Sequence, residues 1–246
     1  MSATKIQWCD RTWNPIIGCC KVSAGCQHCY AERMARRLAG IGIQGYRLVL
    51  DKTGRWNNRS YLVEDRLSEP DKLKPCRIFV TSMGDIFNPP AVSMLDPVFD
   101  TIQRCREHTF ILLTKRPVVG EEYFNRPNRN WEKYRNVWIG VTVEDQCQIH
   151  RAYTMRELPG RVHFLSCEPL LGPIDLSGCI ADLDWVICGC ETGTGARSAD
   201  PAWVRSLRDQ CAVAGVPFFL KGLTGVKTKK GALPTLDGKI WGEFPK

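Results

Sequence analysis

The stretch from Asn136 to Glu168 reads NVWIGVTVEDQCQIHRAYTMRELPGRVHFLSCE and contains one strand–helix–strand unit. Two short runs rich in β-branched and aromatic residues, 136–141 and 162–165, are typical of buried strands. Between them, apolar residues follow Asp145 at helical spacing: Ile149, Ala152, Tyr153 and Met155. A helix between two strands favours parallel pairing, because the crossover returns the chain to the same edge of the sheet. The unit therefore predicts an α/β fold.

The same alternation of strands and helices recurs along the chain. The predicted strands are Pro15–Gly18, Arg77–Thr81, Thr109–Leu113, Asn136–Val141, Val162–Leu165, Asp184–Cys188 and Val216–Leu220. The predicted helices are Tyr30–Ala39, about Asp96–Arg106, the segment after Asp145, and Pro201–Ala214 between an Asp200 N-cap and a Gly215 C-cap. Gly120 and Pro127 are expected to break the segment Pro117–Tyr134. We expect one domain over residues 1–246, a partial (β/α) barrel of about six to seven parallel strands.

Two segments stand outside this repeat. Residues 41–75 form a polar insertion with a turn signal at Asp51–Gly54, and we expect it to act as a lid or substrate loop beside the first helix. Residues 221–246 form a basic C-terminal tail with a second turn signal at Asp237–Gly238. Both segments are expected to belong to the barrel domain.

Composition narrows the classes of function. The 34 Lys and Arg residues outnumber 26 Asp and Glu, and the net charge of +8 favours a polyanionic partner such as nucleic acid. No apolar run approaches the roughly 18 residues of a membrane span, and residues 1–7 lack the apolar stretch of a signal peptide. We therefore expect a cytoplasmic protein without a membrane partner. In that compartment, an odd number of 13 cysteines favours metal binding over disulfides.

The sharpest motif is Cys19-x6-Cys26-x2-Cys29, which lies directly before the first predicted helix. Three thiolates in one loop can bind three irons of a [4Fe–4S] cluster and leave the fourth iron open to a ligand that is not protein. The spacing also suits tetrahedral zinc, with His28 or Cys20 as a fourth ligand. Cys20-x5-Cys26 is an alternative spacing that the sequence does not exclude, but we predict Cys19 as the first ligand.

Polar residues follow each predicted strand, where the loops of a parallel barrel converge on one face. They are Cys19, then Ser82, Met83, Gly84 and Asp85, then Thr114, Lys115 and Arg116, then Thr142 and Glu144, then Ser166 and Glu168, then Glu191, and last Lys221. Lys115, Arg116 and Lys221 would bind phosphate or a cofactor carboxylate, or else form salt bridges with the glutamates. We interpret Glu191 and Lys221 as the candidate catalytic acid–base pair. Ile187 and Gly189 should then point into the barrel, and Cys188 and Cys190 towards the helices.

Together these segments resemble the radical S-adenosylmethionine superfamily, and more specifically a phage-associated family of small radical-SAM-like proteins related to spore photoproduct lyase. The resemblance spans nearly the whole chain. It is carried by Trp13-Asn14-Pro15, Gly18-Cys19, Cys26–Glu32, Ser82–Asp85, Leu113–Pro117, Ser166–Leu170 and the Asp237-Gly238 tail. The commonest superfamily motif has three residues between its first two cysteines, whereas this chain has six, and His28 stands where an aromatic residue is frequent.

The resemblance implies a fold, two cofactors and a set of roles. Cys19, Cys26 and Cys29 would ligate the cluster, Ser82–Asp85 would contact the methionyl amine of S-adenosylmethionine, and Thr142 and Glu144 its ribose. His28, Tyr30, Lys115 and Glu168 complete the expected cofactor-binding set. The implied reaction is reductive cleavage of S-adenosylmethionine, which needs an electron donor, followed by hydrogen abstraction from a substrate.

A nucleic-acid base or nucleotide, undergoing repair or modification, is the expected substrate. Two alternatives stay open at this point. One is a zinc-stabilised nucleic-acid-binding protein without catalysis, in which the tail binds phosphate. The other keeps the cluster for structure or electron transfer only.

Overall fold

A computed structural model describes residues 2–127, 134–192, 195–226, 228–229 and 231–246. The described strands are β1 (Ser2–Ala3), β2 (Arg11–Trp13), β3 (Ile16–Ile17), β4 (Tyr61–Leu62), β5 (Arg77–Val80), β6 (Thr109–Thr114), β7 (Val137–Thr142), β8 (Val162–Cys167), β9 (Trp185–Gly189), β10 (Phe218–Gly222), β11 (Thr235–Leu236) and β12 (Lys239–Ile240). The described α-helices are α1 (Tyr30–Gly40), α2 (Leu95–Arg104), α3 (Pro117–Phe124), α4 (His150–Met155) and α5 (Pro201–Ala214).

One sheet organises the molecule, with the strand order β1-β2-β5-β6-β7-β8-β9-β10. β1 pairs antiparallel with β2, and the other seven strands are parallel to one another. In the strand–helix–strand unit of residues 136–168, β7 pairs with β8 from Trp138–Val162 to Thr142–Ser166. The predicted partial (β/α) barrel is confirmed as a half-barrel of seven parallel strands.

The prediction of the first strand was wrong. The first parallel strand is β2, whereas the predicted segment Pro15–Gly18 contains β3, which pairs antiparallel with β4 of the insertion. Pro15 explains the change, because proline has no N–H to donate to a ladder and interrupts the strand that Trp13 ends. The other six predicted strands are confirmed, with ends shifted by at most two residues.

Among the helices, α5 agrees with its prediction at both ends. The Asp200 carboxylate accepts a hydrogen bond from the backbone N–H of Ala202 at 2.8 Å, and Gly215 takes the left-handed conformation with φ of 71°. The expected break at Gly120 was wrong, because α3 passes through it to Phe124. One interior glycine costs a helix only about 1 kcal/mol, and α3 offsets this cost by burying Tyr123 and Phe124.

The side chains of the sheet alternate between two apolar layers. The concave side packs aromatic and aliphatic groups together: Trp8, Phe79, Ile111, Phe164, Trp185, Ile187 and Phe219. The other side packs against the helices and includes Val186, Cys188 and Cys190. The predicted orientation of Ile187 and of the two cysteines is therefore confirmed. Both layers are apolar, so the polar side chains that could take part in catalysis or binding lie at the strand ends.

The insertion packs against α1 through its own small apolar cluster, in which Tyr46, Val49 and Trp56 contact Ala31 and Ala35. The Asp51–Gly54 turn forms as predicted, since the Gly54 N–H donates to the Asp51 carbonyl at 3.0 Å.

The tail also contains its predicted turn, because Asp237 and Gly238 connect β11 to β12. Lys227 and Lys230 of the tail lie outside the described residues. Within the described part of the chain, no helix is both long and apolar enough to cross a membrane.

Candidate functional site

The three predicted cluster ligands share the segment 18–29, here called the cysteine loop. This loop is bonded to the segments that follow four of the parallel strands. The Gly18 N–H donates to the Met83 carbonyl after β5 at 3.2 Å, and Arg116 after β6 donates to the Cys20 carbonyl. The Ser23 hydroxyl donates to Glu144 after β7, and His28 contacts Glu191 after β9. The cysteine loop therefore lies across the carboxyl ends of the strands.

Cys19, Cys26 and Cys29 are free thiols that are partly buried in this loop. Burial raises the pKa of Cys19, and the charges of Asp85, Cys29 and Cys26 act in the same direction, against the opposing effect of Arg116. The three cysteines therefore lie together in one partly buried loop.

Cys20 has a different environment from Cys19. Its Sγ lies 3.5 Å from the Asn58 carbonyl oxygen of the insertion, and its N–H donates to the Asn88 side-chain oxygen at 3.2 Å. Of the two possible first ligands, Cys20 is thus the one whose thiol contacts the insertion. Asn88 was not predicted, and no spacing in the sequence points to it.

The described residues also bear on the choice of metal. Among them, no three His, Cys, Asp or Glu side chains converge as ligands of one metal ion. His28 and Cys20, the proposed fourth zinc ligands, are engaged by Glu191 and by the Asn58 carbonyl. A single zinc needs all its ligands within about 2.3 Å of one point, whereas each cysteine of a cuboidal cluster binds a different iron. The structure therefore shows no preformed ligand set for a single ion among the described residues.

The loop after β5 packs against the start of the cysteine loop. The side-chain oxygen of Asn14 accepts hydrogen bonds from the Ser82 hydroxyl at 3.1 Å and from the Met83 N–H at 2.9 Å. The Tyr30 hydroxyl donates to the Ser82 carbonyl at 2.6 Å. A Cβ on Gly84 would lie 2.6 Å from the Gly18 carbonyl oxygen, so glycine is required for this close approach. The predicted residues 82–84 are therefore beside the cysteines.

Asp85 is buried, and its carboxylate has no free position for a cofactor amine. Its four donors are the Thr114 hydroxyl at 2.7 Å, the Phe87 N–H at 3.0 Å, the Lys115 N–H at 2.9 Å and the Arg116 guanidinium at 3.0 Å. Arg116 in turn holds the Cys20 carbonyl. Asp85 thus anchors the cysteine loop through Arg116.

Glu144 is completely buried and is the centre of a second network. One carboxylate oxygen contacts the Lys115 ammonium and the Ser23 hydroxyl, and the other accepts from Arg151 at 2.8 Å. Burial tends to raise the pKa of Glu144, but the charges and hydrogen bonds of Lys115, Ser23 and Arg151 hold it below its ordinary value. Glu144 is therefore ionised and paired.

Lys115 connects this network to the thiols, since its Nζ lies 3.7 Å from Cys26 Sγ. Burial opposes ionisation of Cys26, but Lys115, the Val22 and Ser23 N–H groups and the Ser23 hydroxyl lower its pKa below the ordinary value. Lys115 was predicted as a cofactor contact, and the structure places it between Glu144 and Cys26.

Arg151 was not predicted from the sequence. It lies on α4, is buried, and its guanidinium donates to both the Thr142 carbonyl and Glu144 at 2.8 Å. An arginine inside a short helix carries no local signal of such a role, because its partners belong to the preceding strand end.

The predicted pairing of Glu191 with Lys221 does not form. Glu191 is bound by the Arg197 guanidinium and by His28, whose Nδ1 lies 3.1 Å from the carboxylate. Lys221 instead pairs with Glu168, and both side chains of that pair are partly exposed. Glu191 consequently fastens the loop after β9 to the cysteine loop, which Arg197 also contacts at the Ala24 carbonyl.

Replacing Glu191 with glutamine is expected to reduce the free energy of unfolding that the protein loses when the pH falls. Hydrogen bonds from Arg197 lower the pKa of Glu191 to about 2, with smaller help from His28. A lowered pKa stabilises the fold fully above the ordinary value of 4.5, and this contribution disappears as the pH falls towards 2. Urea unfolding should show Glu191→Gln to be less stable by about 1 to 2 kcal/mol at neutral pH.

That difference should vanish as the pH approaches 2. Glu157→Gln is the matched control, because Glu157 is exposed and pairs only with its neighbour Arg156. A constant difference between the Glu191 variant and the wild type at all pH values would contradict the assignment.

Comparison with known proteins gives a family. A family model described as "Protein of unknown function (DUF5131)" matches residues 3–245. No curated protein and no solved structure matches the chain. The match extends over both the half-barrel and the cysteine loop, and the chain therefore belongs to the DUF5131 family.

Proposed function

We propose that the protein binds a [4Fe–4S] cluster through Cys19, Cys26 and Cys29 and acts as a radical S-adenosylmethionine enzyme. The observation that carries this proposal is the position of the three partly buried thiols, in a loop bonded to the carboxyl ends of four parallel strands. Reactive groups collect at this end of β/α barrels. When bound, the cluster would supply the electron that cleaves S-adenosylmethionine to methionine and a 5′-deoxyadenosyl radical, which takes hydrogen from a substrate.

The surrounding residues have distinct roles in this proposal. Ser82, Met83 and Gly84 lie beside the cysteines, at the position that the resemblance assigns to the methionyl group of the cofactor. Lys115 keeps positive charge next to Cys26, and Thr142 belongs to the strand end assigned to the ribose.

The partly exposed Glu168–Lys221 pair also lies at this end of the sheet. It can exchange a proton with a substrate, unlike Glu191, which Arg197 and His28 hold as a carboxylate.

The proposed substrate is a nucleic-acid base or nucleotide, in a repair or modification reaction. The net charge of +8 supports a polyanionic substrate, and the resemblance to the phage-associated relatives of spore photoproduct lyase supports a base. The reaction would need an electron donor and a reducing compartment such as the cytoplasm, where thiols remain available for iron. Zinc bound by the same cysteines is the alternative that the experiment below distinguishes.

Cys26→Ala should abolish the cluster. The protein is reconstituted anaerobically with iron and sulfide, and the electron paramagnetic resonance spectrum of the reduced sample is recorded with and without S-adenosylmethionine. We expect a four-iron signal that the cofactor changes in the wild type, and no such signal in Cys26→Ala.

Cys20→Ala is the matched control and should keep the signal, because the Cys20 thiol contacts the Asn58 carbonyl instead. Stoichiometric zinc without a cluster would overturn the proposal. A cluster signal that is the same with and without S-adenosylmethionine would indicate a cluster used only for structure or electron transfer.

A further inference from the structure

Residues 30–59 carry most of the net positive charge of the chain. This segment comprises α1 and the first half of the insertion, and it contains seven Lys or Arg residues against two carboxylates, a net charge of +5 out of +8. All seven basic residues are exposed, and here they are called the cationic surface: Arg33, Arg36, Arg37, Arg47, Lys52, Arg55 and Arg59. Such a density of charge is typical of a surface that meets a polyanion.

The two carboxylates of the segment offset only part of this charge, although Asp51 borders the same groove as three of the cations. Glu32 is buried and binds Lys21 at 2.8 Å and the Trp56 N–H at 3.0 Å. Asp51 uses its side chain within its own turn, where it accepts from the Thr53 hydroxyl at 2.7 Å. Among the described residues, none of the seven cations forms a salt bridge with a carboxylate. Their charges are available to a partner.

Three of the cations line one groove between α1 and the insertion. The groove has a volume of about 290 Å³, and Arg36, Arg47 and Lys52 border it. Arg47 Nε donates to the Ala39 carbonyl at 3.1 Å, and Arg36 Nε donates to the Gly54 carbonyl at 3.4 Å. These bonds fix the two side chains while their terminal NH2 groups stay free to contact phosphate oxygens.

The surface continues along α1 to the cysteine loop. Tyr30, Arg33 and Arg37 follow one another at spacings of three and four residues, so they share one exposed face of the helix. Tyr30 directly follows Cys29, and it is 53% exposed although its hydroxyl is bonded to Ser82. An exposed aromatic ring beside a row of cations suits nucleic acid, because phosphates bind the cations and a base stacks on the ring.

We propose that the cationic surface binds the phosphodiester backbone of a nucleic acid. Arg36, Arg47 and Lys52 contact phosphates in the groove, and the strand then passes Tyr30 towards the cysteine loop. This inference deepens the proposed function by naming the substrate class as polymeric nucleic acid. It places the main contacts on α1 and the insertion, whereas the sequence alone suggested phosphate binding by Lys115, Arg116 and Lys221 or, in the zinc alternative, by the C-terminal tail.

Fluorescence anisotropy tests the proposal with the full-length protein, a labelled DNA duplex and a single strand of the same sequence, over a series of salt concentrations. The variant Arg36→Ala/Arg47→Ala/Lys52→Ala should bind roughly tenfold more weakly. The slope of log affinity against log salt should also become shallower by about 3, or about one for each phosphate that the variant no longer neutralises.

The matched control is Lys74→Ala/Arg106→Ala/Arg161→Ala, which removes the same charge. These exposed residues precede β5, β6 and β8, at the opposite edge of the sheet, and the control should retain wild-type affinity. Lys52→Glu, a single change on an exposed turn, should weaken binding without affecting folding. Thermal unfolding checks that all variants are folded.

Three results would overturn the inference: no binding by the wild type, equal losses in the variant and the control, or binding to phosphatidylserine vesicles in place of DNA. Binding needs no cluster, so the two proposals can fail separately. Nucleic-acid binding without a cluster signal would contradict the radical mechanism but support the role of the cationic surface. If the cluster responds to S-adenosylmethionine but Arg36→Ala/Arg47→Ala/Lys52→Ala binds nucleic acid as the wild type does, the radical mechanism stands and the role of the cationic surface is contradicted.

Discussion

Replacing Glu144 with glutamine is expected to lower the free energy of unfolding by about 3 to 5 kcal/mol. Glu144 is buried and pairs with Arg151, which is also buried, and with the partly buried Lys115. Glutamine keeps the shape of the side chain but removes its charge, so the Arg151 guanidinium loses its counter-charge inside the protein. Urea unfolding followed by circular dichroism measures the loss.

A second substitution separates the buried charge from other effects. If the uncompensated Arg151 causes the loss, then Glu144→Gln/Arg151→Met should be more stable than Glu144→Gln alone, because a flexible apolar side chain replaces the unpaired cation. Thr142 loses a hydrogen bond to its carbonyl in the double variant, which should cost only about 1 kcal/mol. Additive losses from the two substitutions would contradict the explanation, since residues in direct contact should show coupling.

The sheet could be predicted from sequence because its strands are buried on both faces. Such strands appear as nearly continuous apolar runs, and six of the seven predicted runs became parallel strands. The first strand could not be predicted, because Arg11–Trp13 is short and polar at its start, whereas Ile16 and Ile17 look like a better strand. Those isoleucines are buried against the insertion, a contact between distant segments that no local pattern reveals.

The sequence predicted which residues belong to the candidate site better than it predicted the contacts among them. Because the carboxyl ends of parallel strands meet at one edge of the sheet, Ser82, Lys115 and Glu144 were predicted to lie together there. The structure places them next to the cysteine loop. The rule does not say which side chains bind one another. We interpreted Glu191 and Lys221 as an acid–base pair, whereas each binds a different residue. Arg197 and Arg151 were missed because arginines are common on surfaces, and only the fold shows that these two hold buried or partly buried carboxylates.

These pairings commit the carboxylates of the site to salt bridges, whereas its thiols form no disulfide. Asp85 has four donors, and Glu144 and Glu191 are each bound by arginine, so these carboxylates fix the loops around the cysteines. In contrast, Cys19, Cys26 and Cys29 are free thiols. In the proposed function, this charged frame would hold the cysteine loop in place before a cofactor binds.

Gly18→Ala is expected to destabilise the protein by about 3 kcal/mol or more and to displace Cys19. Gly18 has φ of 94°, a conformation that a residue with a side chain adopts only with strain. An added Cβ would also collide with the Arg59 carbonyl oxygen and would lie 2.8 Å from a Val49 methyl. The backbone oxygen cannot rotate away as a flexible side chain would, so the insertion must move from the cysteine loop.

Gly42→Ala is the matched control for the backbone strain alone. Gly42 has φ of 79°, but a Cβ there would meet no atom within 4 Å. This variant should lose only about 1 to 2 kcal/mol, the cost of the left-handed conformation. Urea unfolding gives both losses, and iron incorporation during reconstitution reports the position of Cys19. If both variants lost the same stability and bound the same iron, the contact between Gly18 and the insertion would have no role in holding the cysteine loop.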